Sequence, residues 1–328
     1  KERHTEVSLQ TLCGLFGYTR QAYYKSIRIN AKHCLEEDVV LEEIHSYRKL
    51  MPRIGGAKLH YLMNESGYRI SRKTLFSILR TNSLLVRGRK KYAVTTDSRH
   101  WMKKYPNLIR GFDFDLPNLL WVSDITYMRV KGEFAYLSLI TDAYSHKIVG
   151  YCLHRTLESE GTIMALQMAI DATPENKRIG LIHHSHRGSQ YCCRDYVKLL
   201  KNNYIRISMT ENGDPYENAV AERMNGILKA EWLDTEEYTD FLQAKERISQ
   251  IINIYNKVRG HASCNMLTPM EVELHGGKLG KKMAKKKIQT KRNKNNTFTN
   301  RFVNLCRIYF FIKTDNFLLI NICKPILE

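Results

Sequence analysis

The sequence predicts an α/β protein, a layered sheet with flanking helices, preceded by a small all-α helix-turn-helix domain. Three observations carry this reading. Residues 119–153 fall into short alternating runs separated by turn residues, the period of a sheet. Residues 158–232 then switch between helical and strand periods. Residues 8–81 hold only short helical patterns with basic faces.

The chain has 328 residues, 43% of them hydrophobic, enough to bury a sizeable core, which excludes wholesale disorder. There is no run of about 18 uncharged apolar residues, so no membrane span is expected. Lys1-Glu2-Arg3-His4 precedes no apolar leader, and no secretory signal is expected. The absent initiator Met suggests a fragment or a frame-internal start. The eight cysteines match neither a disulfide framework nor a zinc spacing, which points to reduced cytosolic thiols. Cys192-Cys193 read as helix residues rather than metal ligands.

The net charge of +19 is unevenly placed. Residues 1–105 carry a net +12, residues 106–277 a net −4, and residues 278–301 a net +10. Basic flanks suit a polyanion, because each cation seated on a phosphate releases counterions. An acidic middle argues against a protein that merely coats charge. A carboxylate-rich core beside basic arms suits a metal-holding enzyme that acts on nucleic acid.

Taken in order, Leu9, Leu12 and Leu15, an interruption at Gly17, and Arg20 to Tyr24 predict a short helical pair over 8–27. Residues 34–50 predict a helix on Leu35, Val39, Leu41, Ile44 and Tyr47, broken by Gly55-Gly56. A short helix follows over Lys58 to Asn64. Ser71 caps another over Arg72 to Thr81, with Leu75, Ile78 and Leu79 inward. Arg72, Lys73 and Arg80 on that second helix make the pair read as a helix-turn-helix on DNA. A plain three-helix bundle is the competing reading. Residues 82–118 are polar and basic (Arg87, Arg89, Lys90, Lys91, Lys103, Lys104) and read as a linker tracking phosphates.

Strands are expected over Leu119 to Val130, Phe134 to Thr141 and Lys147 to Leu153, with a turn at Lys131-Gly132-Glu133. A helix over Glu158 to Ala172, a strand over Ile179 to His183, a helix over Gln190 to Asn202 and a strand over Arg206 to Met209 come next. Asp214-Pro215 opens a helix running towards Trp232, and another covers Tyr238 to Tyr255.

Three places invite chemistry. Asp124 sits mid-strand, where Asp is disfavoured. It is either an exposed edge residue or a buried carboxylate that needs a partner or a metal. On the helix after Pro215, Val220, Met224, Ile227 and Leu228 form the apolar stripe. Asn218, Glu222, Asn225 and Lys229 share the other face, a solvated surface or a metal-and-DNA face. His183-His184-Ser185-His186 places three imidazoles within four residues, which does not by itself specify zinc.

Together, Trp121-x-x-Asp124-Ile125-Thr126-Tyr127, then His184-Ser185-x-Arg187-Gly188-Ser189-Gln190-Tyr191, then Asn218-Ala219-x-Ala221-Glu222-x-x-Asn225-Gly226-x-Leu228-Lys229, stand in the order and spacing of a transposase core of the retroviral-integrase type. Over residues 33–270 the chain resembles the second-frame product of the two-frame insertion sequences, insertion-sequence family three. The resemblance implies an RNase H-like mixed sheet with flanking helices, and together with composition and pattern the chain divides into five segments. These are an N-terminal helical segment (1–32), a helix-turn-helix-like domain (33–82), a basic linker (83–115), a catalytic core (116–276) and a basic, disordered tail (277–328).

The resemblance also implies cleavage and strand transfer at the element's ends, with an Asp-Asp-Glu triad holding two divalent ions, Mg²⁺ or Mn²⁺. One ion would activate the attacking water or 3′-hydroxyl and the other would stabilise the leaving oxygen. Asp124 and Glu222 match their positions. Thirty-five residues lie between position 186 and Glu222, the family's spacing, but position 186 is His186. Either the site is damaged by loss of one carboxylate, or His186 serves as a nitrogen ligand with an altered metal preference. Asp142 is a rescue ligand or, more simply, a turn cap. Arg187, Asn218, Asn225 and Lys229 would face DNA.

The implied partners are terminal repeats, target DNA, other transposase copies and an upstream-frame product joined by fusion. The setting would be the prokaryotic cytoplasm beside the nucleoid. An inactive DNA-binding remnant that occupies element ends is the alternative, and an RNase H-like nuclease on RNA–DNA hybrid is a third. The family's Arg-Pro-His reads Arg259-Gly260-His261 here.

Overall fold

The computed structural model describes residues 8–86, 101–112, 114–211 and 215–277. The expectations for residues 1–7, for Arg87 to Lys91, for Asp214 and for 278–328 lie outside them.

Four helices open the chain: α1 (Leu9–Leu15), α2 (Arg20–Leu50), α3 (Gly56–Glu65) and α4 (Arg72–Thr81). Ser8, Thr19 and Ser71 cap α1, α2 and α4, each accepting a hydrogen bond from the backbone N–H three residues on. The sequence suggested two helices within the span of α2. The structure runs one, since residues 20–50 contain neither Gly nor Pro to stop it. Ile44, Tyr47, Met51, Ile54, Leu59, Met63, Leu75 and Leu79 bury the inner faces of α2–α4.

The sheet follows: β1 (Leu120–Val130), β2 (Glu133–Asp142), β3 (Ile148–His154), β4 (Ile182–Ser185) and β5 (Arg206–Met209), in the order β3-β2-β1-β4-β5. The first three strands are antiparallel, and β4 and β5 pair in parallel. Val130 opposes Glu133 across a two-residue turn, with Lys131 at φ 50° and Gly132 at φ 85°. Such turns match the twist of a hairpin.

Helix α5 (Ser159–Ala172), the short α6 (Ser189–Cys192) and α7 (Arg194–Asn202) lie with the layer in which Trp121, Leu166, Tyr191, Tyr196 and Leu200 are buried. Helix α8 (Ala219–Leu228) and α9 (Phe241–Lys257) pack on the other face, where Met224, Leu228, Ile248 and Tyr255 share one core with the N-terminal helices. A final helix, α10 (Pro269–His275), begins with a capping box of Thr268 and Glu271.

Boundaries within the sheet and its flanking helices also differ from the sequence reading. The fourth strand starts at Ile182, because Gly180 takes φ 79° and turns the chain just before it. The helix expected over 190–202 breaks at Cys193, which is extended. In one continuous helix, residues 191 and 196 would point about 140° apart; the break lets Tyr191 and Tyr196 meet edge to face at 5.5 Å. The helix after Pro215 divides into a 3₁₀ turn (Pro215–Asn218), α8 and a π-helical turn (Lys229–Leu233), which delivers Trp232 to the core fully buried.

Candidate active site

The parallel register of β1 and β4 pairs Ser123 with Ser185. One step further along each strand stand Asp124 and His186, at the carboxyl end of β4, the edge at which open α/β sheets build their sites. Helix α8 lies over β1 and brings Glu222 to the same place. His186 Nε2 stands 3.7 Å from Glu222 Oε1.

Asp124 is held by its surroundings. Its Oδ1 accepts the Ile125 backbone N–H at 2.9 Å, and its Oδ2 accepts Asn225 Nδ2 at 2.7 Å. Burial pushes its carboxyl above the ordinary range. His186, the Ile125 N–H and Asn225 pull the other way, and Glu222 adds to the rise. The exposed-edge reading of Asp124 is therefore replaced by the partnered one.

Asn218 and Asn225, expected on the DNA side, are buried. Asn218 Nδ2 donates to the Ser123 carbonyl at 3.2 Å, so both amides brace β1 around Asp124. The buried stripe of α8 is Ala221, Met224, Asn225 and Leu228. Its spacing of three and four was present in the sequence, but Asn225 reads as polar, so its inward position was missed. Lys229 is half-buried, with Nζ 3.7 Å from the Tyr127 ring centroid. Burial lowers its pKa, opposed by Asp234 and Asp124. Arg187 is half-buried beside His186. Arg72, Lys73 and Arg80 are exposed on α4, and Arg72 lies over Phe76 at 5.4 Å.

His183 and His184 are core residues of β4, not members of a metal cluster. His183 Nε2 meets the Tyr196 hydroxyl at 2.9 Å, and His184 Nδ1 meets Ser208 Oγ at 2.8 Å. Burial pushes them down to about 3 and about 4, so both are neutral imidazoles. Asp142 is a turn cap: its oxygens accept the Asn118 N–H, the Ser145 N–H and the Ser145 hydroxyl. Glu217 was not foreseen. Its carboxylate takes the Glu211 N–H at 2.7 Å, Arg110 at 3.0 Å and Asn107 Nδ2 at 3.3 Å, joining the segment before β1 to the approach to α8.

Among the described residues, no three His, Cys, Asp or Glu side chains form a group ready to hold a metal ion. One oxygen of Asp124 is spent on Asn225, and position 186 supplies nitrogen. The donors therefore do not fit a pair of Mg²⁺ ions, which want oxygen in near-octahedral order.

Two models of an integrase core domain match residues 115–215 and 203–269. The chain is 31% identical over 262 residues to the insertion element IS600 uncharacterized 31 kDa protein of Shigella sonnei, covering 79% of this chain and 96% of that protein. It is 26% identical over 279 residues to transposase InsF for insertion sequence IS3A of Escherichia coli K12, covering 83% and 96%. A chain of the simian T-cell lymphotropic virus intasome, solved with a PP2A regulatory subunit, is similar at 19% identity and TM-score 0.42, covering 76% of this chain and 79% of that one.

Proposed function

The chain belongs to the transposases of the insertion-sequence IS3 family, which carry an integrase-type core, and from that membership we propose that it evolved to cut and join DNA strands at the ends of such an element. One observation carries the reading: His186 stands 3.7 Å from Glu222 of α8, and both lie near enough to Asp124 of β1 to shift its carboxyl. In this reading Asp124 and Glu222 supply the acidic ligands for divalent metal, with Mn²⁺ accepting the His186 nitrogen better than Mg²⁺ does. Asn225 and Asn218 hold β1 in register behind Asp124. Arg72, Lys73 and Arg80 on α4 and the half-buried Arg187 and Lys229 are proposed to meet phosphates. Element ends, target DNA, further copies and a fused upstream-frame product are its proposed partners, at the nucleoid. No described helix is long and apolar enough to cross a membrane.

The chain as it stands is impaired in this reading. His186 removes one negative charge from the site, and its ring lies against the carboxylate that should be free for metal. The same pairing favours the second reading, a remnant that binds element ends without cutting them. The test is nicking and strand transfer on an end-containing duplex in Mg²⁺ and in Mn²⁺. We expect the native chain to show little Mg²⁺-dependent activity and His186→Asp to raise it about a hundredfold, or about 2.7 kcal/mol of barrier. Equal activity of the two forms would sink the impairment reading. Binding of ends with no cleavage by either form would favour the remnant.

A further inference from the structure

A groove of about 600 Å³ runs between α7 and residues 101–105, apart from the carboxylate site. Its charged lining is Lys103, Arg194, Lys198 and Lys201, and among the described residues none lining it is a carboxylate. Lys103 Nζ stands 5.5 Å from the Tyr105 ring centroid, and Trp101 at the rim is 92% exposed. The surrounding segment, residues 106–277, is net −4, so this is a local concentration of positive charge against the trend of its own domain.

The concentration is built by one helix. Arg194, Lys198 and Lys201 fall at i, i+4 and i+7 on α7, within about 60° of one another and rising about 6 Å and then 4.5 Å along the axis. The opposite face is anchored by Tyr196 and Leu200, both fully buried, so the cations are held on a rigid rail. None of the three forms an ion pair with a described residue. Asp195, the helix's single carboxylate, lies about 100° from Arg194 and about 60° from Lys198 and forms no ion pair with either. Like charges at this spacing repel, and a row of phosphates relieves that repulsion.

We propose that this groove is a second DNA-binding surface, which takes the phosphate backbone of a duplex. A straight row of cations on a fixed helix matches the regular phosphates of a duplex. A track for single strands would need a succession of stacking rings, and among the described residues lining the groove Trp101 alone stands free at the rim.

Binding of the full chain to a fluorescent 30-base-pair duplex without insertion-sequence ends tests the proposal. The triple variant Arg194→Gln, Lys198→Gln, Lys201→Gln should bind at least tenfold more weakly. Its log–log salt slope should be shallower by about 2–3, since each phosphate contact contributes about 0.9. The exposed single variant Lys198→Glu should move both quantities in the same direction. Lys245→Gln, on the exposed side of α9 and outside both sites, should leave them unchanged, and the assay reads binding without cleavage, so this result stands or falls independently of strand transfer. Unchanged affinity and slope in the Lys198→Glu and triple variants would overturn the proposal. Tighter binding of single-stranded DNA, lost with Trp101→Ala, would overturn the duplex assignment.

Discussion

Asp124 and Asn225 show how much one residue pair decides. A carboxylate behind a strand is costly to ionise, and a single amide at 2.7 Å offsets part of that cost. Because the folded state raises the Asp124 pKa, it binds the proton more tightly than the unfolded chain does. The resulting stability is fully present below the ordinary carboxylate pKa and is lost as pH rises through the folded value. Asp124→Asn removes that loss. The Asn225 amide can turn to present Oδ1, which lacks a hydrogen-bond partner in the structure. We expect a higher Tm at pH 7 in EDTA, by about 2–4 °C for each kcal/mol recovered, and a flatter stability profile as pH rises above the ordinary carboxylate value. A lower Tm at pH 7 would show that the ionised carboxylate is stabilised where it stands. His186 makes the complementary point. Its identity and spacing are visible in the sequence, whereas its approach to Glu222 within 3.7 Å depends on the packing of α8 on β1.

Helices and strands followed their local signals closely where the surroundings agreed with them. Helix α4 has the bounds expected from its Ser71 cap, and β5 those expected over Arg206 to Met209. Packing changed the others. The break at Cys193 seats two tyrosines in one core, and the π turn after α8 seats Trp232. Strand β3 and α5 approach closely at Gly150, where an added Cβ would press on the Ala165 carbonyl oxygen and come within 2.8 Å of Ala169 Cβ. Neither is the end of a flexible side chain, so α5 would have to lift. Gly150→Ala should lower the urea midpoint, with a loss of about 1–3 kcal/mol, and leave the slope unchanged. An unaltered midpoint would mean that the layer spacing adapts without cost.

At the scale of the molecule, the N-terminal helices and the integrase-type core share one apolar interior, closed by a polar junction. Trp232 Nε1 donates to the Leu50 carbonyl at 2.8 Å. Arg259, 3% exposed, makes two bonds of 2.7 Å to Glu231 and one of 3.0 Å to His261 Nε2, and Lys58 of α3 reaches Glu231 at 3.3 Å. These contacts are unequal. Burial works against the Glu231 carboxylate, yet Arg259 and Lys58 bring its pKa below the ordinary value. Lys58 is pushed down to about 8, by burial first and by Arg259 next, so its charge gains little from the contact. Lys58→Met should therefore change stability by less than about 1 kcal/mol. Glu231→Gln strands a buried guanidinium and should cost about 3–5 kcal/mol. Thermal unfolding of both variants checks the contrast, and equal losses would overturn it.

The sequence by itself determined the fold class, the family and the positions of Asp124, His186 and Glu222. Side-chain periodicity and motif spacing are written along the chain and need no contact to be read. Tertiary structure alone decided that Asn218 and Asn225 face inward, that His183 and His184 are neutral core residues, and that Asp142 closes a turn. It also decided that the cations of α7 line a groove with residues 101–105. In each case the residue type permits two roles. Burial, which depends on segments distant in sequence, selects one of them by removing water from the alternative.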